Sequence, residues 1–144
     1  MEIGEFLKTK KEYSLISKNT PLISNLDMLE NIALIREVHK HLPTKEAQAE
    51  ARESLRKIDL ENISLNRLNQ CNSYEIFCVC LIRALMTKEA DVIIVTPFHL
   101  IDNLREIQTI VSVIEKLEVQ KNILILDTTS NETHYKDSSC NIVK

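Results

Sequence analysis

The chain has 144 residues, 44% apolar and 27% charged, with a net charge of −3. That supplies a core for one domain, excludes wholesale disorder, and leaves Lys and Arg too dispersed for a nucleic-acid footprint. The single glycine, Gly4, excludes a glycine-rich phosphate loop within these residues.

The cysteines at 71, 78, 80 and 140 lack CxxC spacing, and no signal peptide is evident. Both point to a reducing cytosol. Helix-face cysteines fill cores more often than they hold zinc, so no metal site is expected. No run approaches the roughly 18 apolar residues that cross a membrane.

Residues 1–12 are charged and weakly patterned. Glu12–Ser17 reads as a strand that Asn19 and Pro21 terminate. Asp27 and Glu30 resemble a capping pair opening a helix to about Lys40. His39 and His41 belong to its solvated end. Thr44 is an expected N-cap for a second helix with Ala47, Ala51, Leu55 and Ile58 on one face. Glu53 and Lys57 on the other face have favourable i,i+4 spacing. Residues 59–70 form a connector that tucks Leu60, Ile63, Leu65 and Leu68 underneath.

From Cys71 the pattern sharpens. Tyr74, Phe77, Cys78, Leu81, Ile82 and Leu85 give one apolar helix face, with Asn72 or Ser73 as N-cap. Val92–Val95 is a β-branched run bounded by Asp91 and Pro97, the pattern of a strand covered on both faces. Asp102 is the expected N-cap of a helix to about Leu117, with apolar positions at 104, 107, 111 and 114. Ile123–Leu126 reads as a second buried strand, and Asn141–Val143 as a short edge strand. Strand, helical block, strand, helix, strand predicts a parallel α/β sheet.

Several segments in this order resemble the second half of an ATP-binding-cassette (ABC) transporter ATPase, most nearly the Mla-type subunit of lipid transport. Leu29–Leu42 (LENIALIREVHKHL) is similar to that family's VxENVAxPLREHxxL. Lys57–Leu60 (KIDL), Ile82–Leu85 (IRAL for ARAL) and Pro97-Phe98 with Asp102 (for DEPFxGLD) follow at matching spacing. The resemblance covers about residues 13–144. It implies one domain, a reduced P-loop-NTPase-like core (12–18 and 89–144) with an inserted helical subdomain (about 22–88).

Placed on that frame, the Walker A loop is expected to lie ahead of this chain. The Q-loop glutamine falls on Lys18, the LSGGQ-type signature begins on Cys71, Asn72 and Ser73, and the Walker B carboxylates fall on Val95 and Thr96. The switch histidine falls near Thr128. The resemblance therefore implies a degenerate ATPase without hydrolysis, because phosphoryl transfer needs a metal-holding carboxylate, a phosphate-binding Lys and a water-orienting group. No cofactor is expected, with ATP and Mg²⁺ entering only if another chain completes the site.

The resemblance further implies a cytoplasmic location, peripheral on the inner membrane, and a permease helix docked on the helical block. Leu22, Ile23, Leu26, Met28, Arg36 and His39 are the expected partner contacts. Alternatives are a self-associating module, for instance a homodimer, unrelated to transport, or a split ATP-binding half completed by an ABC-type partner.

Overall fold

Two apolar β-branched runs and a short third strand pair in parallel, and everything else packs around them. The computed structural model describes residues 2–136 and 138–143. Its strands are β1 (Ser14–Ile16), β2 (Asp91–Val95) and β3 (Asn122–Leu126). They form an all-parallel sheet in the order β1-β2-β3. The helices are α1 (Ile3–Thr9), α2 (Met28–His39), α3 (Thr44–Lys57), α4 (Ser73–Leu85) and α5 (Gln108–Lys116).

The central helix is α4. It buries Phe77, Cys78, Val79, Cys80, Leu81, Ile82 and Ala84, far more than one stripe, because it touches β1, α2 and α3 together. On the sheet, Ile16, Val92 and Ile94 face the main core, with Ile123 and Ile125 packed beside them. Alternation sends Leu15, Ile93 and Leu124, which share a register row, to the opposite face. Ile93 is fully buried there.

The start of α2 is as expected. Asp27 accepts from the Glu30 amide (2.7 Å) and Glu30 reaches back to the Asp27 amide (3.0 Å). The next two free amides of the first turn, Met28 and Leu29, donate to the carbonyls of Asn66 and Ser64. The connector thus caps the helix, and no donor there remains for a ligand.

Several expectations need correction. Residues 1–12 contain α1, tied to the sheet by Lys10 Nζ on Asp91 Oδ2 at 2.7 Å. Pro43, not Thr44, is the N-cap of α3, and it offers no side-chain bond. Glu53 pairs with Arg56, while Lys57 reaches Glu118. Leu65 is 74% exposed instead of tucked under.

Asp102 caps no helix. Ser73 Oγ takes the Asp102 amide (2.8 Å) and the His134 carbonyl takes the Ile107 amide (3.1 Å), so α5 starts only at Gln108. β3 is an edge strand whose Ile123–Leu126 are half-buried. Asn141–Val143 forms no strand, and Ile142 and Val143 are exposed.

Candidate functional site

Parallel α/β sheets usually hold ligands beyond the carboxyl ends of their strands. Here β1, β2 and β3 end at Ile16, Val95 and Leu126, so Lys18, Thr96 and Thr128 lie just beyond, along one edge. Lys18 is exposed in the turn and Val95 is half-buried. Thr96 adopts a left-handed conformation (φ 46°, ψ 62°), which costs an L-residue about 1–2 kcal/mol. Its amide donates to the Leu126 carbonyl at 2.8 Å. The Thr128 hydroxyl bonds Ser130 Oγ at 2.7 Å.

Ser73, through Asp102, and Asn72 beside it sit toward the same end. Asn72 Oδ1 accepts the Glu75 amide (2.8 Å) and Glu75 accepts the Asn72 amide (2.9 Å). This capping box closes the N-terminus of α4 and puts a carboxylate where an incoming phosphate would meet repulsion.

The sequence reading missed Asp127 and Tyr135. Asp127 Oδ1 accepts from the Thr128 amide and from Asn131 Nδ2, while Oδ2 accepts from the Tyr135 hydroxyl at 2.7 Å. Burial first, then Asp127, pushes the Tyr135 phenol well above its ordinary pKa. Tyr135 also meets Phe98 edge-on (5.8 Å between centroids). An Asp directly after a strand was the available signal; a partner eight residues on carries no periodicity to reveal it. Asp127 already holds three donors, and among the described residues no three His, Cys, Asp or Glu side chains gather for a metal ion.

The expected partner contacts divide. Leu22 (5% exposed) and Met28 (0%) are corrected as contacts, because both are packed inside the main core. Ile23 is 43% exposed, Leu26 and Arg36 are half-buried, and His39 is exposed. Buried Asn31 organises this region. Its Oδ1 accepts the Ile23 amide (2.7 Å), and its Nδ2 donates to the carbonyls of Ile23 (3.1 Å) and Asp27 (3.0 Å).

A cleft of about 340 Å³ opens where the start of β1, the last turns of α2 and the end of α4 meet. Its apolar lining includes Ile35, Cys80 and Ala84 from the main-core side, and its charged lining is His39, Arg83, Lys88 and Glu89. Arg83 donates to the carbonyls of Thr20 (2.7 Å) and Pro21 (3.0 Å), holding the loop after β1 against α4. Ser14 and Thr87 share a short hydroxyl contact inside. Burial raises the Cys80 thiol pKa, so it lines the cleft as a neutral group. Of the sequence-predicted residues, only His39 lines this cleft.

No family model and no curated protein matches the chain. Among solved structures, it is similar to a dimeric, post-hydrolysis state of the ATP-binding cassette MJ0796 bound to ADP and Pi. The TM-score is 0.61 at 20% identity, over 91% of this chain. The fold is that of an ABC ATPase core. This chain spans 59% of that protein's length. Among the described residues, no helix is long and apolar enough to cross a membrane.

Proposed function

We propose that this chain is a non-hydrolytic, ABC-ATPase-like docking subunit of an envelope (lipid) transport system. Its catalytic positions within residues 13–144 are decayed, and it is held in the cytoplasm at the inner membrane by a permease helix. The observation that carries this reading is the contrast between the carboxyl end of the sheet and the cleft beside β1. At the carboxyl end stand Val95, Thr96 and a fully bonded Asp127, which leave phosphoryl transfer without a free metal-holding carboxylate. Beside the outer strand β1 a cleft with a charged rim suits an amphipathic helix. The lipid and permease elements come from the resemblance at 29–42 and 57–60.

A thermal-shift titration with Mg-ATP beside an ATPase assay tests it. No saturable shift and no turnover are expected. A ligand at a hundred times its Kd adds about 2.7 kcal/mol of stability, a shift of several degrees. Such a saturating rise would overturn the reading in favour of a split ATPase half. A photo-crosslinker at His39 in host membranes should capture a permease, and one at Leu65 should not.

A second reading, self-association, is favoured by β3, an apolar edge strand with half-buried side chains and no Lys or Pro within it to block pairing. Light scattering that finds a dimer disrupted by Leu124→Lys would support it.

A further inference from the structure

The second face of the sheet carries apolar groups that the main core does not use. Ile93 is fully buried yet lies outside that core. It shares its face with Leu15, Val95, Leu124 and Leu126, all half-buried, which alternation turns away from Val92 and Ile94. Helices α2, α3, α4 and α5 give their buried apolar side chains to the main core, whereas Ile3, Phe6 and Leu7 of α1 are half-buried and stand outside it. Asp91 also belongs to the second face. It holds Lys10, the residue that ends α1, at 2.7 Å and Asn122 Nδ2 at 3.0 Å. The helix laid on this face is therefore α1.

Its attachment is slight. None of its residues is fully buried, and Glu2 supplies no side-chain cap. Seven residues fall well short of the roughly 12–15 that hold helical form alone, so α1 is helical only while docked. It rises about 10 Å over five-residue strands of about 16 Å, and part of the face stays open beyond it. Lys11, Glu12 and Tyr13 lead back to β1, and exposed Glu12 is left-handed at φ 54°. That conformation disfavours the closed turn about fivefold or more for an L-residue.

We propose that α1 is an exchange arm. In a dimer of this chain each α1 lies on the second face of the other copy, and the hinge at Glu12 is extended. A second copy fits without any new complementarity, because its α1 brings the same Ile3, Phe6, Leu7 and Lys10 to the same Leu15, Ile93, Leu124 and Asp91. Each copy keeps the contacts α1 makes in the monomer and loses the strain of the turn. Short strained hinges favour swapping for this reason. The exchange uses neither the cleft nor pairing along β3.

The test refolds equal amounts of unlabelled and heavy-nitrogen-labelled chain together and separates monomer from dimer by size-exclusion chromatography with light scattering. A carbodiimide then joins Lys10 Nζ to the Asp91 carboxylate as an amide, the reagent taking up the lost water to become a urea. In the dimer about half of the Lys10–Asp91 peptides should combine one light and one heavy segment, the random share for equal mixing. The Lys57–Glu118 link, at 3.7 Å, should stay within one isotope. Glu12→Gly, which takes a positive φ without strain, should lower the dimerisation constant about 25-fold, fivefold for each chain. Glu12→Pro, with φ fixed near −65°, should raise it. A dimer whose Lys10–Asp91 peptides are all of one isotope would overturn the exchange and leave the β3 edge as the contact. A chain that stays monomeric at its highest soluble concentration, or equal constants in both variants, would overturn the hinge-driven exchange. Absence of the Lys10–Asp91 peptide where Lys57–Glu118 is joined would overturn the docking of α1 itself.

Discussion

Replacing Asn31 by Ala removes the buried side chain that bonds Ile23, Leu26 and Asp27 of the loop ahead of α2. Asn31 is 2% exposed. Its loss takes the partners from the Ile23 amide and the Leu26 carbonyl, whereas the Ile23 and Asp27 carbonyls still receive the Leu26 (3.3 Å) and Asn31 (3.0 Å) backbone amides. An abandoned buried polar group costs about 1–3 kcal/mol. Ile23 is 43% exposed, so water recovers part of that, and the total falls at about 2–4 kcal/mol. At about 2–4 °C per kcal/mol, the Tm should drop by roughly 5–15 °C.

Urea unfolding of the two proteins gives the free energy, and hydrogen exchange at Ile23 gives the location. Asn31→Asp should cost no less. It keeps the acceptor, loses both donors, and sets a negative charge among the carbonyl oxygens of Ile23, Leu26 and Asp27. A loss below about 0.5 kcal/mol, the size of an ordinary surface change, with unchanged protection at Ile23, would refute the clamp.

Alkaline pH should weaken the fold. Burial raises Cys78 from 9.0 to about 12 and Tyr74 from 10.0 to about 12. Folded-state values above the unfolded ones mean stability complete below about pH 9 and lost as pH rises; Cys78 alone removes roughly 2 kcal/mol by pH 10.5. Denaturation midpoints that stay level between pH 8 and 10.5 would refute this. Asp91 behaves oppositely, since its hydrogen bonds from Lys10 and Asn122 lower its pKa below 3.8. Its contribution is present above that value and disappears as pH falls through the folded one, so exchange protection in α1 should fade in acid, and Lys10→Ala should reproduce the loss at neutral pH. Asp59 sits at φ 60° just past α3, the position glycine usually fills. Asp59→Gly should be neutral or stabilising by up to about 1 kcal/mol, and Asp59→Val destabilising by more than that; a destabilising glycine in thermal unfolding would contradict the strain.

The sheet and the helical block were legible where local chemistry and tertiary packing agree. Val92–Val95 has no alternative to a buried strand, and Asp27 with Glu30 closes a helix end by itself. The misses lie where a distant group outbids the local pattern. Leu104 and Ile107 keep helical spacing, yet His134 holds the amide of Ile107, and the backbone enters its helix a turn late. The apolar run at Ile123–Leu126 is identical for a central and an edge strand, because period alone does not report what covers each face. For α1 the signal existed. Ile3, Phe6 and Leu7 follow i, i+3, i+4 spacing, hidden among charges. At the candidate site the lost motif positions were readable by type, but the cleft was not. Leu15, Ile35, Cys80 and Ala84 come from three separate elements.

What separates the carboxyl end of the sheet from the cleft beside β1 is how their polar groups are used. At the carboxyl end the Thr96 amide, both oxygens of Asp127, Ser73 Oγ and the Asn72–Glu75 pair are all bonded within the chain. A ligand engaging these groups must break an internal bond for each new one, so its net gain from them approaches zero. At the cleft beside β1 Lys88 and Arg83 form no ion pair among the described residues. A partner there meets cations that gain by being matched and an apolar lining that gains by being covered.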